Sequence, residues 1–516
     1  MKFKIPSDAR ELLELIAEVT EANPFGQVRL RWQARILGEP EADRPLRLDT
    51  REDRDAANQR VSVLLEDCLS ELSPQVRQHG QRMTEEEKTL YRNGVWIWLY
   101  YNSIADLDRH YEACEAKPDS EVEVGEGMYE RFRQDLSRFL ILGKGPGNKE
   151  DTLRSNEKDV CDLFSFCFQL RRGWNGIRRK IVGLSPSAAE LRQSVWVAIF
   201  TRRLLWSFQY LKDRMANFST LILGDSGTGK DLVAEVIGAS QFIPYSPRED
   251  RFAINFVSAY HPVNLSAMTP TLIESELFGH TKGAFTGATS DRKGHLEECS
   301  PYGALFLDEI GDLSGEIQVK LLRVLQSREF YPSGGGKPRR FHGRILSATN
   351  RDIPTLVAEG KMREDFLYRI GANVIRVPTL ARRLSEAPEE AEVLLLHVLE
   401  KVLGSVDETV FVELKEKIVA LVKARYSWPG NIREFEQCVR TLLITSDYDP
   451  LIPQTPPEEG LERLLSRMAR SEATLQEVLT GYCRHAVSAA GGYQAAGQRL
   501  EADWRTVKKH AGALEP

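Results

Sequence analysis

The chain has little of what would place it outside a cell or inside a membrane. Its seven cysteines, Cys68, Cys114, Cys161, Cys167, Cys299, Cys438 and Cys483, are too few and too scattered for a disulfide framework or for a zinc site built on cysteine. They read as reduced thiols of a cytoplasmic protein. The amino terminus, Met1-Lys2-Phe3-Lys4-Ile5-Pro6, lacks the apolar core of a secretory signal. The longest apolar stretch, around Val195 to Tyr210, is broken by Arg202 and Arg203, which excludes a membrane span and a membrane partner. Charge of one sign is also scarce: the net charge is −6, so any contact with a polyanion must be local. No internal repeat is visible. What remains is a chain of 516 residues, 42% of them hydrophobic, long enough for several domains that each bury a core.

Residues 1–142 read as a mainly helical regulatory domain. Leu12, Leu13, Leu15, Ile16 and Val19 form one apolar stripe, and Val61, Leu64, Leu65 and Leu69 another. Thr84 and Glu87 have the spacing of a capping box ahead of a long third helix, although the β-branched and aromatic residues of 95–101 also suit a strand. The aromatic cluster Trp96, Trp98, Tyr100 and Tyr101 fits either core packing or the wall of a ligand pocket. A polar, glycine-rich stretch from Gly143 to Asp159 marks a linker, with connecting helices to residue 182. Nothing in the first region opens on a strand ending in paired carboxylates, which disfavours a phosphoreceiver domain. The signal it answers, and whether it represses or assists, are not readable from these residues.

From Ser219 the pattern changes to short apolar strands, Thr220–Leu223, Phe252–Val257, Ala304–Leu307 and Ile345–Ala348, alternating with helical stretches. That alternation implies an α/β fold with a parallel sheet covered by helices. Leu221-Ile222-Leu223 runs into Gly224-Asp225-Ser226-Gly227-Thr228-Gly229-Lys230-Asp231 and out into Leu232, Val233 and Val236. Strand, glycine loop and helix in that order form a P-loop, whose amides cradle the phosphates of ATP while Lys230 reaches the β and γ groups. Position 231 is Asp where most such loops have Ser or Thr. Asp308-Glu309 ends the strand Ala304-Leu305-Phe306-Leu307, which places both carboxylates at the sheet's C-terminal edge beside the loop. Asp308 is the expected Mg²⁺ ligand, through the ion's water shell, and Glu309 the residue that orients and deprotonates the attacking water.

The run Glu274-Ser275-Glu276-Leu277-Phe278-Gly279-His280-Thr281-Lys282-Gly283-Ala284-Phe285-Thr286-Gly287-Ala288, between the P-loop and the acidic pair, closely resembles the signature of the AAA+ ATPases that activate bacterial sigma-54 RNA polymerase. The resemblance covers about 183–445 and a short C-terminal segment. It implies an AAA+ α/β subdomain over 183–385, a helical lid over 386–448, a linker over 449–470 and a Fis-type helix-turn-helix over 471–516. It implies that Gly283, Ala284, Phe285, Thr286, Gly287 and Ala288 form the loop that engages sigma-54, and that Asn350 is a sensor of the γ-phosphate. Arg363 and Arg369, in Met362-Arg363-Glu364-Asp365-Phe366-Leu367-Tyr368-Arg369, match the family's arginine fingers, which act on a neighbour's ATP. Arg433, in Trp428-Pro429-Gly430-Asn431-Ile432-Arg433-Glu434, matches the lid arginine that contacts nucleotide in cis; Phe435 and Gln437 stand where Leu and Asn are usual. Asn264 lies at the spacing of the family's switch asparagine, with Asn255 a rival.

At the C-terminus Leu475, Val478, Leu479, Tyr482 and Ala486 make one helical face, Gly491-Gly492 stops it, and 493–500 and 503–511 fit two shorter helices. The resemblance makes Asp503 an N-cap and places Arg505, Thr506, Lys508 and Lys509 against DNA; a helical dimerisation hairpin is the alternative. The expected whole is an activator that binds upstream enhancer DNA, assembles into a ring, expected to be a hexamer, and uses ATP to open sigma-54 promoter complexes. Rival classes are an AAA+ unfoldase, which would not need the GAFTGA frame, and a DNA-binding switch without hydrolysis, which would lack Glu309 or the fingers.

Overall fold

The computed structural model describes residues 3–39, 51–125, 127–142, 153–285, 288–424, 426–449, 464, 465, 468 and 473–511, except for the side chains of 51–54, 142, 270 and 271. They divide into two compact units, 1–444 and 445–516. No helix among the described residues is long and apolar enough to cross a membrane.

The first unit is built on a five-stranded sheet: β1 (Thr220–Leu223), β2 (Tyr260–Asn264), β3 (Ala304–Asp308), β4 (Arg344–Thr349) and β5 (Asn373–Arg376). The order is β5-β1-β4-β3-β2, every neighbouring pair parallel. The three central strands, β1, β4 and β3, are buried on both faces, as a sheet covered on both sides requires. Leu221, Leu305, Leu307 and Ile345 point into one core with α10 (Pro270–Phe278), α11 (His295–Glu298), α12 (Gly315–Ser327), α13 (Ile353–Ala358) and α14 (Glu364–Ile370). Their neighbours Ile222, Phe306, Leu346 and Ala348 point into the other. This is the AAA+ α/β core.

The strand expected at Phe252–Val257 is corrected. Only Arg251–Phe252 pairs, with Tyr245–Ser246, and 256–259 form a turn of 3₁₀ helix. Phe252 and Phe256 are turned instead toward aromatic rings of the helical layer, Phe252 at 4.6 Å from Phe168 and Phe256 stacked at 4.8 Å on Tyr111. The sheet strand is β2, eight residues later, which carries Pro262 at the sheet edge, where a residue without N–H is tolerated.

The first 139 residues contribute α1 (Ser7–Glu21), α2 (Gln27–Ile36), α3 (Arg51–His79), α4 (Glu85–Ala116) and α5 (Met128–Phe139). The capping box opens α4: Thr84 Oγ accepts from Glu87 N, and the Glu87 carboxylate accepts from Thr84 N at 3.1 Å and from Ile5 N at 3.3 Å. Residues 95–101 are helical within it. Trp98 is core, edge-on to Phe139 at 4.8 Å. Trp96, Tyr100 and Tyr101 line a cavity of about 70 Å³, half of the ~150 Å³ that accommodates benzene.

The linker expected at 143–159 falls mostly at 143–152, outside the described residues. The next helix, α6 (Glu157–Lys180), is the hub of the unit, and α7 (Pro186–Phe200) and α8 (Leu204–Leu211) lead from it toward the sheet. Arg171, fully buried, pairs with Asp108 of α4, which also accepts from Asn175 at 2.9 Å. On the other side of α6 Arg172 donates to Ala239 O at 2.7 Å and Gln241 O at 2.8 Å, and Gln169 donates to Ser240 O at 2.8 Å. These bonds cap the carbonyl end of α9 (Lys230–Ala239), the helix after the P-loop. One apolar core runs from α1 through α6 to the sheet.

A short helix, α15 (Leu380–Glu386), leads to α16 (Glu390–Leu403), α17 (Glu408–Lys423) and α18 (Asn431–Thr445), the helices at the place expected of a lid and called the lid below. Phe435 is fully buried against Trp428, ring centroids 5.2 Å apart, so the larger ring is absorbed in the lid core. In the second unit three helices, Leu475–Ala490, Tyr493–Arg499 and Trp504–Ala511, pack around Cys483, Ala486, Val487, Ala496, Val507 and Ala511.

Candidate nucleotide site and exposed loop

Because the strands are parallel, their carboxyl ends share one edge of the sheet, and four of them deliver the expected chemistry there. Strand β1 enters the P-loop. The loop closes through Thr228 Oγ1 donating to Asp225 O at 2.8 Å, and Lys230 Nζ lies back on the loop, donating to Gly224 O at 2.9 Å and Asp225 O at 3.1 Å. Gly227 has φ +76°, and a Cβ there would meet Gly430 O at 2.2 Å, so the lid backbone lies against the loop at a point only glycine allows.

The lid helix α18 grips the loop with its first turn. Ile432 and Arg433 amides donate to Gly227 O at 3.0 and 3.3 Å, and Asn431 Nδ2 donates to Ser226 O at 3.0 Å. Asn431 Oδ1 accepts from Leu380 N at 2.9 Å. The exposed Arg433 reaches toward Ser226 Oγ, 3.5 Å away.

Strand β3 ends in the acidic pair. Asp308 is partly buried, and that burial pushes its carboxyl above the ordinary value, opposed by the Glu309 N–H and Lys230 and reinforced by Asp231. Glu309 adopts φ +56°, and its Oε2 accepts from Asn350 N at 3.3 Å. In register, Asn264 of β2 stands beside Asp308. Its own carboxamide oxygen accepts from Ser266 N and Oγ at 3.0 and 2.8 Å. The rival Asn255 is buried elsewhere, donating to Cys114 O, Lys117 O and Ser120 O at the end of α4. Arg363 caps the start of α14 and is exposed, its guanidinium bidentate on Asp365 at 3.0 and 2.8 Å. Arg369 is exposed on the last turn of the same helix.

A half-buried carboxyl raised by burial beside Asp231, a lysine whose ammonium has bonded only loop carbonyls, and an open-ended helix α9 form a cradle suited to a polyphosphate and its divalent cation. These groups fit a nucleotide polyphosphate and a hard divalent ion, to which the Asp308 carboxylate could offer an oxygen.

The loop Gly283–Ala288 projects from the end of α10. Gly283 N donates to Ala288 O at 2.9 Å and Ala288 N to Phe285 O at 3.0 Å; Thr286 and Gly287 lie outside the described residues. Phe285 is 42% exposed, its ring edge-on to His280 at 5.0 Å. A second loop, not singled out in the sequence, buttresses it. Thr281 N donates to Ser333 O at 3.0 Å and Ser333 N to Gly279 O at 2.9 Å. A Cβ on Gly334 (φ +90°) would meet Thr281 Oγ1 at 2.5 Å and Ala284 Cβ at 2.7 Å. Glu274 of α10 joins the two, accepting from Ser333 Oγ at 2.6 Å and Lys320 Nζ at 2.8 Å. The available signal was the run Gly334-Gly335-Gly336.

In the second unit Arg505, Thr506, Lys508 and Lys509 are all exposed, and Asp503 Oδ1 accepts from Arg505 N at 2.8 Å, as an N-cap does.

The sequence profile of the Sigma-54 interaction domain matches residues 207–376. The Nif-specific regulatory protein of Azotobacter vinelandii is 39% identical over 276 residues, 54% of this chain and 46% of that protein. The transcriptional regulatory protein GlrR of Escherichia coli K12 is 39% identical over 251 residues, 48% of this chain and 51% of that one. The DNA-binding transcriptional regulator NtrC of the same organism is 36% identical over 261 residues, 51% of each. The chain spans about half the length of these relatives.

Proposed function

We propose that this chain, whose residues 207–376 are a Sigma-54 interaction domain of the AAA+ ATPase class, is a sigma-54-dependent transcriptional activator. It binds upstream enhancer DNA, assembles into a ring, a hexamer by the family's pattern, and uses ATP to convert closed sigma-54 polymerase complexes into open ones in the cytoplasm.

The carrying observation is that one compact unit holds both a P-loop with its acidic pair and a half-exposed phenylalanine on a buttressed loop. When ATP enters, Lys230 leaves the carbonyls of Gly224 and Asp225 for the phosphates, which the loop amides and the α9 N-terminus also bind. Asp308 would hold Mg²⁺, which when bound would neutralise charge on the phosphates. Glu309 takes the proton of the attacking water, its carboxylate steadied by the Asn350 N–H. Asn350, whose N–H bonds the Glu309 carboxylate, and Asn264, in register beside Asp308, report the state of the γ-phosphate, Asn264 by leaving Ser266. Arg363 and Arg369 lie exposed, where a neighbouring subunit's site can receive them; until then the Arg363 guanidinium stays paired with Asp365. Arg433 contacts nucleotide from the lid. Gly283, Ala284, Phe285, Thr286, Gly287 and Ala288 meet sigma-54, and the C-terminal helices present Arg505, Thr506, Lys508 and Lys509 to DNA.

The test is capture of purified sigma-54 with ADP and aluminium fluoride. Wild type should form a stable complex. Phe285→Ala should keep most of its ATPase activity and lose capture; capture undiminished in that variant would move the polymerase contact off this loop and revive the unfoldase reading.

A further inference from the structure

Among the described residues, the side chains of His261, His295 and Glu298 converge so that one ligand atom from each lies within 4.8 Å of the others. His261 belongs to β2, the edge strand; His295 and Glu298 open and close the single turn α11, just beyond the exposed loop. His261 Nε2 and His295 Nδ1 are 2.9 Å apart, and His295 Nδ1 is 3.6 Å from the Glu298 carboxylate. At that distance one imidazole nitrogen carries a proton and the other accepts it, and moving that single proton to the far nitrogen of its ring leaves both lone pairs free to ligate. A tetrahedral ion with ligand bonds of about 2.0–2.2 Å separates its ligand atoms by roughly 3.3 Å, and the two separations at His295 Nδ1, 2.9 and 3.6 Å, lie on either side of that length. The far nitrogen of His295 faces a carboxylate as well: Nε2 is 4.0 Å from Glu276, which Arg292 holds by a 2.6 Å bond. A carboxylate behind a metal-bound histidine fixes its tautomer and raises its basicity.

We propose that His261, His295 and Glu298 bind a divalent transition-metal ion, Zn²⁺ fitting best, with Glu276 as the orienting carboxylate and one position open to water. Two imidazoles and one carboxylate select against Mg²⁺ and Ca²⁺, which take oxygen. The ion fastens the segment after the exposed loop to the edge strand that ends, three residues on, at Asn264. The site is separate from the nucleotide cradle and owes nothing to the activity proposed above.

Full-length protein stripped with chelator, then titrated with ZnCl₂ in the presence of excess Mg²⁺, should bind one ion per chain at micromolar affinity or tighter. His261→Gln and His295→Gln should each weaken binding at least ~10-fold, and Glu298→Gln less. His342→Ala and His397→Ala should leave it unchanged. Co²⁺ should give the intense visible bands of a four-coordinate site, and these should vanish in His295→Gln. Circular dichroism of the stripped protein checks that each variant is folded. Stoichiometric binding that survives in the His261→Gln, His295→Gln double variant, no binding above that variant, or ready displacement by Mg²⁺ would each overturn the assignment and leave a plain His–His hydrogen bond.

Discussion

Replacing Asn431 by Ala should loosen the lid from the P-loop by an amount that can be worked out bond by bond. The residue is almost fully buried at φ +53°, and its carboxamide bridges Leu380 N and Ser226 O. Leu380 is fully buried, so its stranded N–H costs about 1–3 kcal/mol, while Ser226 is exposed and water replaces its bond at little cost. Ala in the left-handed region costs roughly 1 kcal/mol more, a penalty that Asn largely escapes. The sum is about 3 kcal/mol, or ~150-fold in a local opening equilibrium. A global unfolding curve would mix several domains, so the proper assay is amide hydrogen exchange at Ile432 and Arg433, whose N–H groups lie on Gly227 O. Both should exchange ~100-fold faster in Asn431→Ala, and affinity for a fluorescent ATP analogue should fall. Asn431→Gly relieves the backbone part and should recover several-fold of the loss. Exchange within threefold of wild type in the Ala variant would refute this reading of how the lid is held.

Glu309→Gln should bind ATP with near-normal affinity and hydrolyse it at least ~100-fold more slowly, measured by phosphate release under saturating ATP. Mixing Arg363→Ala with Lys230→Ala subunits should restore part of the ATPase activity that each lacks alone, because some interfaces then carry both intact halves; no recovery in demonstrably mixed rings would place Arg363 outside the neighbour's site. Arg505→Ala or Lys508→Ala should weaken binding to an upstream site by about 1–3 kcal/mol per lost base contact, measured at fixed salt, and unchanged affinity would leave the C-terminal helices as an assembly element.

The nucleotide edge was legible because its chemistry is local: strand, glycine loop and helix are consecutive in 220–239, and Asp308-Glu309 ends an unbroken apolar strand. The capping box of α4 and the Gly491 stop were legible for the same reason, each being settled within a few residues. Strand β2 was not, since Pro262 and His261 disguise it and the more apolar Phe252–Val257 outscored it. A long-range fact decided the matter: Phe252 and Phe256 are wanted by rings on α4 and α6. The same displacement of strand register sets Asn264 beside Asp308 and Asn255 against the end of α4. Arg172 is buried and ties α6 to the P-loop helix through backbone carbonyls, which carry no sequence signal. The buttress at Gly334 escaped notice because its partner, Ala284, lies fifty residues away.

The most direct test of the central claim is single-round transcription from an enhancer-bearing template, comparing purified polymerase holding sigma-54 with polymerase holding a different sigma factor. The account predicts ATP-dependent open complexes with sigma-54 alone, abolished by Glu309→Gln and by Phe285→Ala. Equal stimulation of both polymerases, or open complexes that form with the Glu309→Gln protein, would contradict it.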